Sequence, residues 1–289
     1  MAQTLTPLPG AYAIARFPVD AALPAGPSAT PAGLWSVTRT MDEVSLVARA
    51  HAIPADAERV DRPWTALKLE GPFDLTGETG VIASVARPIA QARISVFAMA
   101  TFDTDYVLVP AGQAGRVRAA LTAAGHEVRV PATRIRPVAA ADADAVARLV
   151  WEGFLGYLPV APDGWDPAVP EPQADRLDRP GTRWLLAEDE DGHVRGSAGA
   201  IATEDEQLGH VWQLFVDPGL HGTGLADALL DAVVETTRAD GRRALQLYVA
   251  RDATQARAFY ARRGFAPDPA DDGRPGPGGL PVVRLRRAL

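Results

Sequence analysis

Apolar and polar residues alternate from Trp64 to Glu70 (WTALKLE), the period of a strand with one buried face. Upstream, Tyr12–Phe17, Leu34–Thr40 and Glu43–Val47 have the same character in shorter runs. Downstream, the apolar spacing over Gly80–Gln91 predicts a helix, Ser95–Ala100 and Tyr106–Pro110 read as strands, and Ala111–Gly125 as a helix closed by Gly125. Strand–helix–strand–strand–helix is the order of a small α+β sandwich, and the pattern before it reads as a second, degenerate copy. At Thr133 the pattern restarts. A strand over 133–138 is followed by a helix through Asp142–Phe154. Strands at Trp184–Ala187 and Val194–Ala202 flank a hairpin with Asp191-Gly192 at its tip. Strand 208–216, helix 223–238, strand 244–249 and helix 254–263 complete the series.

Two stretches break the periodicity. Ala21–Gly33 and Pro269–Pro281 are too rich in Pro and Gly for a helix or a central strand, and the second should link two late strands. Gly156–Pro180 should hold a short helix and substrate loops. The length, 289 residues, suits two domains with separate cores. The chain has no Cys, which removes disulfides, thiolate metal sites and a Cys nucleophile. No secretory signal and no apolar run of membrane-spanning length is visible, so a soluble, cytoplasmic protein without membrane contact is expected. The net charge of −7 lies mostly in the C-terminal half, and no basic stripe with interleaved aromatics suggests nucleic-acid binding. That acidity is a weak bias towards a cationic or amine substrate.

The densest chemical signal runs through residues 208–241. A strand meets the turn Asp217-Pro218-Gly219, and Gly222 and Gly224 then lead into an Ala/Leu-rich helix. Glycines let backbone amides crowd inward at a helix N-terminus, where unpaired N–H groups and the helix dipole favour an anion such as a pyrophosphate. Such turns also serve ordinary strand–helix packing. The run His221-Gly222-Thr223-Gly224-Leu225-Ala226, led by Val-Asp-Pro, resembles the Arg/Gln-x-x-Gly-x-Gly/Ala loop of the GNAT acetyltransferases. Residues 253–265 (ATQARAFYARRGF) resemble the family's ending, with Ala256, Phe259, Tyr260, Gly264 and Phe265 at matching offsets. The resemblance covers about 155 residues and implies a mixed, splayed sheet over 132–289, acetyl-CoA as co-substrate, direct transfer to an amine, and no metal.

It also implies site residues. Leu214, Phe215 and Val216 would hold the acetyl and pantetheine groups through backbone amides, with the N–H of Phe215 or Val216 facing the oxyanion. His221, Gly222, Thr223, Gly224, Leu225, Ala226 and Ala256 would line the CoA path. Tyr260 stands at the family's general acid, packing beside Phe259 being the alternative. His210 opens the fourth strand of this domain and is a candidate base, or simply a satisfied polar residue. Trp212, on its strand face, would line the acceptor site or the core, and Glu204, Asp205 and Glu206 form a solvated loop or a funnel for a cation. His221 replaces the family's Arg or Gln and Ala253 its Asn, so CoA affinity should be modest or pH-sensitive.

In the N-terminal half, Trp64–Leu67 leading to Glu70-Gly71-Pro72, Thr79–Val85, Ile94–Phe97 and Ala100–Val109 resemble an ACT domain of the CASTOR-type amino-acid sensors. The expected layout is a degenerate ACT-like repeat over 1–62, an ACT domain over 63–131 and the acetyltransferase over 132–289, an α+β, partly α/β chain. The resemblance implies a free amino acid as effector, with Glu78 and Asp105 on its cationic groups, Thr101 and Phe102 beside them, and N–H groups near Gly80, Val81 and Ile82 on its carboxylate. The alternatives are an Asp-capped turn and a structural or homodimerising ACT pair. The expected activity is acetyl-CoA-dependent N-acetylation of a protein lysine or a small amine, regulated by that amino acid. The rival is a non-catalytic acyl-CoA and amino-acid sensor that signals to a partner protein.

Overall fold

A computed structural model describes residues 2–22, 24–26, 33–74, 76–167 and 181–289. They form two compact units, one of residues 1–132 with 217–223, the other of 133–216 with 224–289. Part of the segment expected to carry a short helix and substrate loops, residues 168–180, lies outside the described residues. No described helix is long and apolar enough to cross a membrane.

The first unit is built on β5 (Arg59–Leu69). One edge of β5 pairs antiparallel with β2 (Tyr12–Phe17) and then with β1 (Thr4–Pro7), and the other with β7 (Asp105–Pro110). β3 (Ser36–Arg39) and β4 (Val44–Arg49) extend the sheet beyond β2, β6 (Phe97–Ala100) pairs with β7, and β8 (Glu127–Val128) runs parallel to β1. The β2–β5 register slips opposite Arg62 and Pro63, where proline offers no N–H to the ladder. Helices α1 (Val81–Gln91) and α2 (Ala114–Ala123) bury Val85, Ile89, Val117 and Leu121 against Leu5, Leu67, Leu69, Val107 and Val109. No α-helix occurs among the described residues before Val81, so the expected first repeat holds strands without helices.

Pro88 lies inside α1 and has no N–H for the carbonyl of Ser84, four residues back. His126 fills that vacancy: its Nδ1 accepts from the Gln3 N–H at 3.1 Å, so Nε2 carries the proton and donates to the Ser84 carbonyl at 3.1 Å. One buried imidazole thus joins β1, α1 and the start of β8.

In the second unit the strand order is β14-β15-β13-β12-β11-β10-β9. These strands are β9 (Thr133–Pro137), β10 (Thr182–Asp189), β11 (Val194–Ala202), β12 (Leu208–Val216), β13 (Ala244–Ala250), β14 (Ala266–Pro267) and β15 (Val282–Ala288). All neighbours are antiparallel except β12 and β13. α3 (Ala143–Leu155) and α4 (Leu225–Ala239) pack on the β11–β12 region, α4 through Leu225, Leu229, Leu230, Val233 and Val234. α5 (Thr254–Arg262) follows β13. A Cβ on Gly153 of α3 would lie 2.0 Å from the Phe215 ring, so only glycine lets that ring lie against the helix. Buried Arg195 pairs with Asp189 at 2.9 Å and holds the β10–β11 hairpin together.

Candidate functional site

β12 carries two irregularities that open the sheet. Its register against β11 passes from Gly199↔Gln213 to Ala200↔Val211, which makes Trp212 the extra residue of a bulge. Its parallel pairing with β13 covers Leu208↔Ala244, Gly209↔Leu245 and His210↔Gln246 only. Beyond His210 the strands part, and a cavity of about 480 Å3 lies there, with Leu214, Phe215, Leu247, Tyr248 and Tyr260 in its wall. This is the expected splay. Gln213, also in the wall, donates to the Ser197 hydroxyl at 2.9 Å, which donates to the Leu185 carbonyl at 3.0 Å, so a buried relay pins the strand.

Tyr260 is buried, its ring 5.2 Å from Phe259 and 5.6 Å from Phe265. Burial, then the neighbouring Tyr157, raises its pKa above the usual phenol value, so it keeps its proton at neutral pH. His210 is buried between Trp212 and Tyr248, with ring separations of 6.0 and 5.6 Å, and its Nδ1 has no hydrogen-bond partner among the described residues. Burial, then the charges of Arg274 and Arg284, push it down to about 4, so the imidazole is neutral at physiological pH. Trp212 is 47% exposed and lines the cavity. Glu204, Asp205 and Glu206 are exposed and absent from the cavity wall.

After β12 the chain turns at Asp217. Its buried carboxylate accepts from the Gly219 N–H at 2.8 Å and the Gly10 N–H at 2.7 Å. Arg118 donates to the His221 carbonyl. Gly222 and Gly224 have φ of +74° and +91°, and a Cβ on Gly224, the residue capping α4, would meet nothing within 4 Å. The first turn of α4 closes with Ala228 N–H to the Gly224 carbonyl at 3.0 Å, so the amides of Leu225 and Ala226 have no partner inside the helix. Asp227, an anion in that first turn, is offset by Arg263 at 3.6 Å, which also pairs with Asp231. The backbone therefore presents N–H groups to open space at a helix start, a cradle suited to a phosphate. Ala253 precedes α5 and gives no side-chain cap; Ala256 lies in the helix's first turn.

In the first unit, Glu78, Gly80, Val81, Ile82, Thr101, Phe102 and Asp105 line a cavity of about 260 Å3 together with Asp74 and Thr104. Gly80 caps α1 at φ +77° with open space where a Cβ would stand. The Thr101 hydroxyl donates to the Thr104 carbonyl at 2.7 Å and fixes the turn before Asp105, whose carboxyl burial raises in pKa. Asp74, held low by Thr76, is a third carboxylate that sequence reasoning passed over. It also passed over Tyr157, Gln213, Tyr248 and Arg274 in the other cavity. Tyr157 and Arg274 sit in Pro- and Gly-rich stretches without periodicity, and Gln213 and Tyr248 read as ordinary strand residues.

Residues 144–265 match the sequence model of the acetyltransferase (GNAT) family, and residues 59–123 that of the ACT domain. A mycothiol acetyltransferase of Beutenbergia cavernae is 38% identical over 88 residues, which are 30% of this chain and 29% of that protein. An uncharacterized N-acetyltransferase of Methanocaldococcus jannaschii is 32% identical over 96 residues, 29% of this chain and 42% of that protein. The chain thus spans less than half the length of either relative. The crystal structure of the PaiA N-acetyltransferase from Thermoplasma acidophilum in complex with coenzyme A aligns with a TM-score of 0.45 at 14% identity, covering 55% of this chain and 99% of that one.

Proposed function

We propose that this chain, which carries a GNAT-family acetyltransferase domain behind an ACT domain, transfers the acetyl group of acetyl-CoA to an amine in the cytoplasm under control of a bound amino acid. The working layout is a divergent ACT-like repeat over 1–62, an ACT domain over 63–131 and the catalytic domain over 132–289. The observation that carries the reading is the conjunction of a split between β12 and β13, a buried phenol in the wall of the opening, and a glycine-built amide cradle at the start of α4.

The reaction asks little of side chains. The neutral amine attacks the thioester carbonyl while the N–H of Phe215 or Val216 stabilises the oxyanion. His210, a weak base at a pKa of about 4, relays the proton released by the amine nitrogen on to water. The carbon–sulfur bond then breaks, and Tyr260 gives its proton to the leaving thiolate. The amides of Gly222, Gly224, Leu225 and Ala226 hold the pyrophosphate, with His221 and Thr223 beside them, and Ala256 flanks the pantetheine arm. The effector sits among Glu78, Asp105, Thr101, Phe102 and the amides of Gly80, Val81 and Ile82. A non-catalytic sensor is the second reading, favoured by His221 and Ala253, which give the cradle one cation and one amide fewer than the family pattern.

The test uses the full chain with acetyl-CoA and a panel of amines, reading released CoA with a thiol reagent, which a protein without cysteine does not itself consume. Acetylated product is identified by mass. Tyr260→Phe should lower turnover roughly 10²–10⁴-fold while CoA affinity holds. Adding the twenty amino acids in turn should change the rate, and the effect should vanish in Asp105→Ala. An effector working through acetyl-CoA affinity would shift it about 5–150-fold, and acetyl-CoA must shift the effector's affinity by the same factor. CoA binding without turnover on any amine would favour the sensor.

A further inference from the structure

The cavity beside β12 has a single charged side chain in its wall among the described residues, Arg274. No carboxylate of the described residues lines it, which is a poor match to a polyamine or an isolated lysine ammonium. The Arg274 guanidinium lies 4.0 Å from the centre of the Tyr248 ring, and no acidic group among the described residues pairs with it. The acidic neighbours in the chain accept from donors other than the Arg274 guanidinium. Asp271 accepts from the Arg284 and Gly273 N–H groups at 3.1 and 3.2 Å, and Asp272 from the Tyr248 hydroxyl and the Arg274 backbone N–H at 3.4 Å each.

Trp212, His210, Tyr248 and Arg274 therefore form one row along the wall, aromatic at one end and cationic at the other. A guanidinium held over a ring by its charge still carries five N–H donors, and two of them can grip a carboxylate with parallel hydrogen bonds. Trp212, large, apolar and half exposed, offers a surface for the rest of such a molecule.

We infer that the acceptor is a small amine bearing a carboxylate, an amino acid or a close relative, with the carboxylate on Arg274 and its apolar part against Trp212 and Tyr248. This rests on the acetyltransferase reading and narrows it, setting protein lysine aside. The burial that, ahead of the Arg274 and Arg284 charges, holds His210 neutral also disfavours the ammonium form of an amine bound nearby, so it helps expose the lone pair that attacks the thioester.

The experiment compares amino acids with their carboxamides as acceptors for the full chain, by CoA release. Acids should be used at lower KM than their amides. Arg274→Leu should raise the KM of the acid roughly ten- to a hundredfold, the range of a charge-assisted hydrogen bond. The KM values of the amide and of acetyl-CoA should stay within about twofold, whereas a fold defect would move all three. Arg274→Lys, which keeps the charge but not the fork, should fall between. Equal use of acid and amide by the wild type, or an unchanged KM for the acid in Arg274→Leu, would overturn the inference.

Calorimetry with N-acetylated amino acids and N-acetylated amino-acid amides gives a readout independent of turnover. Neither class has the ammonium group that Glu78 and Asp105 would hold, and only binding that is lost in Arg274→Leu is assigned to the cavity beside β12. Preference for the acid, lost in Arg274→Leu, supports the carboxylate site even if no amine is acetylated, in which case only the transferase reading fails. Equal affinity for acid and amide, or no binding of either, overturns the site.

Discussion

His210 sits at the last paired position of β12, where the ladder to β13 ends and the cavity begins. Its depressed pKa has a consequence for stability as well as for proton transfer. Above about 6.5, the ordinary value, the side chain is neutral in both folded and unfolded chains. Between 6.5 and about 4 the unfolded chain takes up a proton that the folded one refuses, so stability falls with pH across that window. The loss at pH 4.5 relative to pH 7 should reach about 2–3 kcal/mol from this residue. His210→Gln should lose that much less when urea unfolding is compared at the two pH values. If both proteins lose the same, the imidazole titrates normally, and neither its burial nor the charges of Arg274 and Arg284 act on it. Tyr260 adds no pH dependence below neutrality, because its shift is upward.

Among the elements, α1 shows how one irregular residue is tolerated. Pro88 leaves the Ser84 carbonyl without its helical donor, and His126 Nε2 supplies one. His126→Ala would strand both that carbonyl and the Gln3 N–H, each at about 1–3 kcal/mol when buried. The expected loss in denaturant-measured stability is about 2–4 kcal/mol. Pro88→Ala in the same background should recover part of it by restoring the helical N–H, and the compensation is missing if His126 only fills space. Nothing in the periodicity announces this pairing, because Pro88 and His126 lie far apart in sequence. The elements themselves were far more legible. β2, β11 and β12 have the bounds their apolar patterns suggest, and α1, α2, α3 and α4 differ by a few residues at their ends. β1 and β8 were missed because strands of four and two residues leave no measurable period. β5 starts earlier than its alternation suggests, since Arg59, Val60 and Asp61 extend it by pairing with Arg16, Ala15 and Ile14 of β2.

At the scale of the whole chain, the cradle and the first-unit cavity were readable because both rest on glycines at helix starts and on residues close together in sequence. The wall of the larger cavity was not, since α3, β12, β13, α5 and an aperiodic loop meet there only in the folded protein. Where β12 parts from β13, its amides on that side lose a strand partner. That loss has a time signature. Along Leu214–Val216 successive amides point alternately towards β11 and towards the opening. Those facing β11 are locked in a ladder and should trade their hydrogens with heavy water slowly, while those facing the opening should trade quickly. Acetyl-CoA should slow only the second set, and an amino acid in the other cavity only the amides near Gly80, Val81 and Ile82. Uniform exchange along β12, with or without acetyl-CoA, would mean that the gap closes in solution. Because Phe215 and Val216 have opposite parity, the clock that runs fast in the free chain and stops on binding also identifies which of the two faces the reacting carbonyl.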